Sequence, residues 1–320
     1  MENFKIGNSI ARPLSFHEAE FQCQDSFQQN GPYWHLCTDG TEQQIIFRNA
    51  EDFCAAMNAL AIVLAISDVR LIAFALMNNH IHLILAGDKE GCKDVFRLLV
   101  KRLKKYYKLK GRPDILDGFV CGEPIEITSL AQMRIEIAYV HRNPFVARAD
   151  SLPYSYRWSS GSVYFNDMAK SCPGTPFNKL PFALRTNIFQ GRVSPLPDNY
   201  KWSGEYIYPS SFVCYQLGES FFRNAAEYFV KISKIQEDHC LMVQKYGEDQ
   251  LLNYEEGYSV AASLAYSMYK NHIPSTLLVD QKKEVAKKLH YEYHVPNKQI
   301  ASLLKMEISF ISQMFPKRQD

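Results

Sequence analysis

The stretch AFALMNNHIHLIL at residues 73–85 is an apolar run that is interrupted by His80 and His82. Side chains alternate between the two faces of a β-strand, so two histidines one residue apart lie on the same face. Ile81, Leu83 and Leu85 then point to the opposite face. Neutral imidazole is a common ligand of first-row metals, so the pattern predicts half of a metal site on one side of a sheet. Two histidines that are merely hydrogen-bonded are the alternative interpretation.

Strands and helices alternate around this stretch. In chain order the sequence predicts a strand at 33–37, a helix at 50–66, strands at 69–76 and 80–85, a helix at 90–110, a short strand within 119–127, and a helix at 130–143. Pro144 is expected to end the last of these helices, because proline lacks the backbone donor. Helices interleaved with hairpin strands indicate the α+β class, and we expect a sandwich built on a mainly antiparallel sheet.

The helix at 130–143 carries two polar side chains that lie apart from its apolar stripe. The stripe consists of Leu130, Met133, Ile137 and Val140. Tyr139 and Asn143 lie on another face and project together, because residues four apart are neighbours on a helix. Tyrosine can form covalent enzyme intermediates, and an amide oxygen is a ligand for hard cations. The chain has 19 tyrosines, so ordinary packing is the alternative role of Tyr139.

Two separate motifs give the chain a specific resemblance to a known family. MNNHIHL at residues 77–83 resembles the Met-Pro-Asn-His-hydrophobic-His-Leu signature of HUH single-tyrosine transposases. AYVHRNPFVA at 138–147, followed by YRWSS at 156–160, resembles the Tyr-Ile-x-x-Asn-Pro-Val…Tyr-x-Trp-Ser-Ser block of the REP-associated tyrosine transposase branch. The resemblance covers roughly residues 30–165. The sequence departs from the signature at Asn78, where proline is usual, which alters the turn before the histidines but no chemical group.

The resemblance implies a ferredoxin-like sandwich, with both histidines on a central strand and the tyrosine on a nearby helix. It implies that His80, His82 and Asn143 hold one Mg²⁺ or Mn²⁺ ion, which would polarise a scissile phosphate. Tyr139 would attack that phosphate and form a 5′-phosphotyrosine with a free 3′-hydroxyl. The implied enzyme is a DNA transposase, a metal-dependent endonuclease and strand transferase that acts on single-stranded, hairpin-containing DNA.

Two other functions remain open from the sequence. The first is a domesticated, non-catalytic DNA-binding protein that keeps the fold. The second is a metal-dependent hydrolase that uses water as its nucleophile, for which Tyr139 would be dispensable. Whether the protein acts as a monomer or as a homodimer is also left open.

The helix at 90–110 is locally very basic, although the net charge of the whole chain is only +2. Two tyrosines are interleaved with its positive residues, which is typical of surfaces that follow phosphates and stack bases. The residues expected to contact DNA are Lys101, Arg102, Lys104, Lys105 and Lys108. A solvated helix face is the alternative for this run of charges.

The chain is expected to change character after the first 165 residues. We expect a transposase-like catalytic domain at 1–165, a linker or irregular segment at 166–218, and an all-α region at 219–320. The middle segment is rich in proline and glycine, which break regular structure. The last region follows a helical pattern almost throughout.

Residues 281–315 resemble a helix-turn-helix unit. Asn297 is expected to cap its second helix. Its expected core consists of Ile300, Leu303, Leu304, Ile308 and Ile311. The residues expected to contact DNA are Lys298, Ser309, Ser312 and Gln313. A small helical packing module is the alternative interpretation.

The composition excludes several classes of protein. The eight cysteines include no Cys-x-x-Cys pair, which argues against a zinc ribbon and against a disulfide framework. The first residues, MENFK, lack the apolar segment of a secretory signal. The aliphatic run at 60–66 is too short to span a bilayer, so no membrane partner is expected. These features predict a cytoplasmic protein with reduced thiols.

Overall fold

A small antiparallel sheet lies at the centre of the first half of the chain. The computed structural model describes residues 14–38, 45–117, 119, 121–147, 156–171, 174–233, 254–293 and 295–316. The strands are β1 (Tyr33–Cys37), β2 (Arg70–Leu76), β3 (Ile81–Ala86) and β4 (Ile125–Glu126). Their order is β2-β3-β1-β4, and every neighbouring pair is antiparallel. A separate antiparallel pair is formed by β5 (Thr175–Pro176) and β6 (Lys201–Trp202).

Helices surround this sheet and complete an α+β fold, as the sequence predicts. The α-helices are α1 (Phe16–Asn30), α2 (Ala50–Leu64), α3 (Lys89–Leu109), α4 (Leu130–Ala147), α5 (Asp167–Lys170), α6 (Phe182–Phe189), α7 (Pro209–Phe212), α8 (Tyr215–Ser220), α9 (225–233), α10 (Tyr254–Tyr269), α11 (Val279–Tyr291), α12 (Asn297–Leu304) and α13 (Ile308–Met314). None of the helices in the described ranges is long and apolar enough to cross a membrane.

The two faces of the sheet are covered by different sets of helices. Leu83 of β3 belongs to a buried apolar cluster that also contains residues of α2 and α3. Ile84, the next residue along the strand, belongs to a second cluster that contains residues of α1 and α4. The sheet therefore separates α3 on one face from α4 on the other. This division decides which side chains can meet at a site.

Polar contacts fix α2 and α3 against each other. Asp52, which is fully buried in α2, accepts hydrogen bonds from the Tyr106 hydroxyl at 2.9 Å and from Arg112 Nη1 at 3.0 Å. The backbone N–H of Arg48 donates to the same carboxylate at 2.9 Å. A buried carboxylate is tolerated when it is paired in this way. The end of the basic helix is thus held to the core, while its exposed face remains polar.

One sequence prediction in this region is wrong, and another is confirmed for only part of its range. Pro144 does not end α4, which continues to Ala147. Proline costs a helix one backbone hydrogen bond, but its fixed φ is a helical one, so the chain beyond it can stay helical. The strand expected within 119–127 is limited to Ile125–Glu126, with an isolated bridge between Thr38 and Cys121. Gly122 and Ile127 also donate to the β1 carbonyls of Cys37 and Tyr33, at 3.2 and 3.0 Å, but the regular pairing with β1 is confined to Ile125–Glu126.

Residues 174–213 pack against the same side of the sheet as α2. Phe177, Trp202 and Ile207 are buried in the cluster that contains Leu83, and Asn58 of α2 accepts a hydrogen bond from the Ile207 backbone at 2.9 Å. The segment that the sequence suggests as a linker thus contributes large apolar side chains to this core. The division of the chain at about residue 166 remains a prediction.

The last helices form a third apolar cluster. It consists of residues from α10 to α13 together with Ile45, which precedes α2. Two expectations for this region are wrong. Pro296, not Asn297, is the N-cap of α12, and Asn297 instead donates from Nδ2 to the Phe315 carbonyl at 2.8 Å. Ile308 is 45% exposed rather than part of the core, because it is the first residue of α13 and points outward.

Candidate metal and nucleophile site

The two histidines of the HIH stretch lie on the face of the sheet that α4 covers. His82 is within β3 and His80 immediately precedes it, and both are almost fully buried, at 1% and 0% exposure. The turn before them is fixed by backbone hydrogen bonds, since Met77 N–H donates to the His80 carbonyl at 2.8 Å. Ile81, which lies between them, packs on the opposite face together with Leu83, as the alternation of the strand predicts.

His82 lies in the middle of a chain of hydrogen bonds that begins at a carboxylate. Glu136 Oε2 is 2.9 Å from His35 Nδ1, and His35 Nε2 is 3.1 Å from His82 Nδ1. On its other side, His82 Nε2 is 2.9 Å from Nδ2 of Asn143. The amide nitrogen can only donate, so His82 Nε2 carries its lone pair and Nδ1 carries its proton. His35 then accepts at Nε2 and donates from Nδ1 to Glu136.

Both histidines can therefore offer a nitrogen to a ligand. Burial, together with the neighbouring His80 and His35, holds the pKa of His82 well below its ordinary value. His80 donates from Nδ1 to Asn79 Oδ1 at 2.9 Å, so its Nε2 is the unprotonated nitrogen. The two rings are 4.9 Å apart between centroids and nearly perpendicular, at 86°. Neutral imidazoles whose other nitrogen is hydrogen-bonded are typical of metal ligands.

Helix α4 brings Tyr139 and Asn143 to these histidines. The ring of Tyr139 is 5.5 Å from that of His82 and 6.4 Å from that of His35, between centroids. Tyr139 is half-buried, whereas Asn143 is only 1% exposed. The predicted apolar stripe of α4 is buried in the cluster that contains Ile84. Tyr139 and Asn143 therefore lie on a different face of the helix, which is directed at β3. The four residues that the sequence singles out for chemistry thus lie together.

The Asn143 side chain provides a direct test of whether the site fits a cation. Its Oδ1 atom is buried and has no hydrogen-bond partner among the described residues. Turning the amide by 180° would place this oxygen where Nδ2 now lies, 2.9 Å from His82 Nε2. Neighbouring ligands on an octahedral ion at about 2.1 Å are about 3 Å apart, so this spacing suits a shared cation. Two imidazoles and one amide oxygen fit a divalent ion with positions left for phosphate oxygens.

The sequence interpretation missed His35 and Glu136, which orient His82. Glu136 is seven residues before Asn143 on α4, so the helical repeat places both on nearly the same face. That spacing is the signal that could have singled it out. His35 is brought beside His82 only by the pairing of β1 with β3, which places Cys37 opposite His82. The residues around His35 carry no local sequence pattern that predicts this pairing.

The basic residues of α3 lie away from this site. Lys101, Lys104, Lys105 and Lys108 are exposed, but their helix packs on the opposite face of the sheet. Arg102 is directed inward instead: its Nη1 atom donates to the Phe189 carbonyl at 3.3 Å, and its guanidinium lies 5.6 Å from the Phe189 ring centroid. Burial lowers the pKa of Arg102.

The C-terminal residues expected to contact DNA are all on the surface. Lys298 lies on α12, and Ser309, Ser312 and Gln313 lie on α13; each of them is exposed. Lys305, in the turn between the two helices, has a φ of 49°, in the left-handed region. This conformation turns the chain between the helices, and glycine is the residue that adopts it most readily.

Comparison of the chain with protein-family models, with curated proteins and with solved structures finds no match in any of the three. The chemistry of the site is therefore inferred from its own residues.

Proposed function

We propose that the protein cleaves and rejoins single-stranded DNA through Tyr139, with a divalent metal ion held by His80, His82 and Asn143. The observation that carries this proposal is the meeting of α4 with β3. A tyrosine and an amide one helical turn apart face a histidine whose Nε2 lone pair is directed at the amide. A nucleophile and a set of hard-cation ligands are the two parts that phosphoryl transfer to a hydroxyl requires.

The topology supports the HUH transposase resemblance. The order β1-α2-β2-β3-α3-β4, with strands arranged β2-β3-β1-β4 and all neighbours antiparallel, agrees with the ferredoxin-like sandwich that we propose for this part. In that arrangement β1 and β3 are the central strands, and His82 lies on β3. We further propose that α10 to α13 form an all-α C-terminal region that ends in a helix-turn-helix.

Each residue of the site has a definite part in the proposed reaction. Tyr139 attacks a phosphorus atom in line with the leaving 3′-oxygen, which forms a 5′-phosphotyrosine and releases a 3′-hydroxyl. A 3′-hydroxyl that attacks the same phosphotyrosine restores a phosphodiester and frees Tyr139, so no external energy source is needed. The metal, Mg²⁺ or Mn²⁺, supplies positive charge that stabilises the transition state. Glu136 and His35 hold His82 in the tautomer that leaves Nε2 available.

DNA binding is divided between two surfaces in this proposal. The exposed lysines of α3 supply phosphate affinity, which carries little sequence information. The exposed side chains of α12 and α13 read the sequence or the hairpin. Because α3 lies on the opposite face of the sheet from Tyr139, DNA that contacts both must pass around the edge of the sheet.

The test is a covalent adduct assay with labelled single-stranded hairpin DNA and Mn²⁺. Wild-type protein is expected to form a protein–DNA adduct that resists denaturation, and Tyr139→Phe is expected to abolish it. Tyr291→Phe, at a tyrosine that is 65% exposed on α11, is the matched control and should form the adduct normally. An adduct that survives Tyr139→Phe would refute the assignment of the nucleophile.

One observation favours the second candidate, a non-catalytic DNA-binding protein. His80, His82 and Asn143 are at most 1% exposed, so a phosphate cannot reach them without a movement of the surrounding chain. Sequence-selective binding with no adduct and no cleavage under any metal condition would support this candidate. Cleavage that needs the metal but not Tyr139 would instead indicate a hydrolase that uses water.

A further inference from the structure

Beside the site described above, three soft or borderline metal ligands meet across β1 and β3. The potential ligand atoms of His35, Cys37 and His82 all lie within 4.8 Å of one another. The register explains the cluster, since Cys37 is paired directly with His82 and His35 lies two residues away on the same face of β1. His35 Nε2 and His82 Nδ1 are 3.1 Å apart, as two ligands of one small ion would be.

We propose that His35, Cys37 and His82 form a second metal site, which takes zinc or a chemically similar ion. A thiolate and two imidazoles are ligands that zinc prefers, whereas the hard ions Mg²⁺ and Mn²⁺ prefer oxygen. The site has a carboxylate behind one of its ligands, because Glu136 Oε2 accepts from His35 Nδ1 at 2.9 Å. Such a carboxylate fixes the ring and raises the basicity of the nitrogen that binds the metal.

Metal binding requires changes in the protonation of the three ligands. His35 Nε2 already carries a lone pair, because its Nδ1 donates to Glu136. Cys37 gives up its thiol proton to solvent and binds as the thiolate. His82 binds through Nδ1, so its proton moves to Nε2 and the amide of Asn143 turns to accept it. That rotation gives the buried Oδ1 of Asn143 the hydrogen bond that no described residue supplies otherwise. One proton leaves the protein for each ion bound.

The two metal sites exclude each other because they share His82. A neutral imidazole has one unprotonated nitrogen, so His82 can bind an ion through Nε2 or through Nδ1, but not through both. Zinc on the Nδ1 side therefore removes a ligand from the divalent ion that strand cleavage needs. This consequence rests on the proposed function, whereas the existence of the thiolate site does not.

The first experiment measures the thiolate site alone, by titration of the full chain with Co²⁺ as a spectroscopic substitute for zinc. Wild-type protein is expected to show a thiolate-to-cobalt charge-transfer band at one equivalent, which Zn²⁺ removes. Cys37→Ser is expected to lose the band. Cys54→Ser is the matched control, since Cys54 is also half-buried but lies on α2 across the sheet, and it should keep the band. Absence of the band in the wild type, or its persistence in Cys37→Ser, overturns the proposal.

Calorimetry provides a second measure that does not depend on a spectrum. Zinc binding to the wild type, measured in buffers of different ionisation enthalpy, is expected to release one proton per ion. Cys37→Ser should release none. Glu136→Gln keeps all three ligands and is expected to weaken zinc binding about tenfold without removing the cobalt band. Zinc affinity that is the same in wild type, Cys37→Ser and Glu136→Gln contradicts the site.

The second experiment tests the exclusion, with the electron paramagnetic resonance signal of free Mn²⁺ as the readout. Zinc is expected to displace bound Mn²⁺ one for one from the wild type but not from Cys37→Ser. If both metals bind the wild type at once, the exclusion is wrong. If Mn²⁺ never binds while the Cys37-dependent cobalt band is present, the proposed catalytic metal fails and the thiolate site stands.

Discussion

At the scale of single residues, the described part of the chain buries histidines in two different ways. His141 uses both of its nitrogens in the core, with Nδ1 2.8 Å from the Tyr228 hydroxyl and Nε2 2.7 Å from Ser160 Oγ. His82 instead faces an amide whose oxygen is buried without a partner among the described residues. Both nitrogens of His82 are hydrogen-bonded as well, so the difference lies in its neighbour: an unsatisfied buried oxygen beside a histidine indicates a site that a ligand completes.

His141 gives a prediction for the pH dependence of stability. Burial lowers the pKa of His141 from 6.5 to about 3. In the unfolded chain its pKa returns to about 6.5, so below that pH the unfolded state binds a proton that the folded state does not. The free energy of unfolding should therefore fall as the pH drops from about 6.5 towards 3, by up to about 1.4 kcal/mol per pH unit from this residue.

The measurement is chemical denaturation of wild type and of His141→Gln over this pH range. The amide can still hydrogen-bond to the hydroxyls of Tyr228 and Ser160 but does not titrate. The variant is expected to be less stable than wild type near neutral pH, with a shallower dependence on pH. Equal slopes for both proteins would contradict a neutral, buried His141.

At the scale of secondary-structure elements, the positive charge of α3 is exposed to solvent on the face of the sheet opposite the candidate site. Lys101, Lys104 and Lys108 are exposed, whereas Arg102 packs on Phe189. Phosphate contacts through such residues release counterions, so binding weakens as salt rises. In the proposed function, the face of α3 that carries these lysines is therefore expected to set the affinity for single-stranded DNA rather than the selectivity for its sequence.

Reversing the three lysines to glutamate is expected to weaken binding to all single-stranded sequences alike. The slope of log affinity against log salt should fall by about 2, since each phosphate contact on a single strand contributes about 0.7. Replacement of the same lysines by arginine retains the charge and should leave the slope unchanged. Filter binding over a salt series measures both quantities. A loss of affinity for only one sequence would indicate direct readout by α3 instead.

Most elements of the first half are predictable because their patterns are local; α1 is the exception, since the sequence analysis predicts no helix at Phe16–Asn30. Short aromatic or apolar runs bounded by turn residues predict β1 to β3. Helical spacing predicts α2 and α4, and the same spacing places Tyr139 beside Asn143. The partners that pairing brings together were not predictable in this way. His35 and His82 are 47 residues apart in sequence and meet only in the sheet. The position of α3 opposite the site is likewise set by topology, which no periodicity in the helix reveals.

At the scale of the whole molecule, the three apolar clusters divide the chain unevenly. Phe177 and Ile207 belong to the cluster beneath α2, and Phe221 and Tyr228 belong to the cluster beneath α4. The third cluster takes only Ile45 from the described residues before α10. The middle of the chain is thus part of two cores around the sheet, whereas the last helices have a core of their own.

Two truncations test this division. A protein of residues 1–253 keeps the described members of the first two clusters and is expected to unfold cooperatively on heating. A protein of residues 1–166 loses several large buried side chains and is expected not to fold. The removal of one buried aromatic side chain alone costs about 3 to 5 kcal/mol of stability. Thermal denaturation followed by circular dichroism distinguishes the two. A cooperative transition in the shorter protein would show that residues 174–233 are dispensable for the core.

The side chain of Asn78 connects the histidine turn to the C-terminal helices. Its amide donates to Ser263 Oγ on α10, and α10 also contacts α4, which carries Tyr139. A ligand that shifts α10 is therefore expected to change the free energy of the turn before His80, and thermodynamic linkage makes such a coupling reciprocal. DNA held by α12 and α13 would alter metal affinity by the same factor by which the metal alters DNA affinity. At the position where the HUH transposase signature has proline, this chain thus has a residue that, in the proposed function, would couple target binding to metal binding.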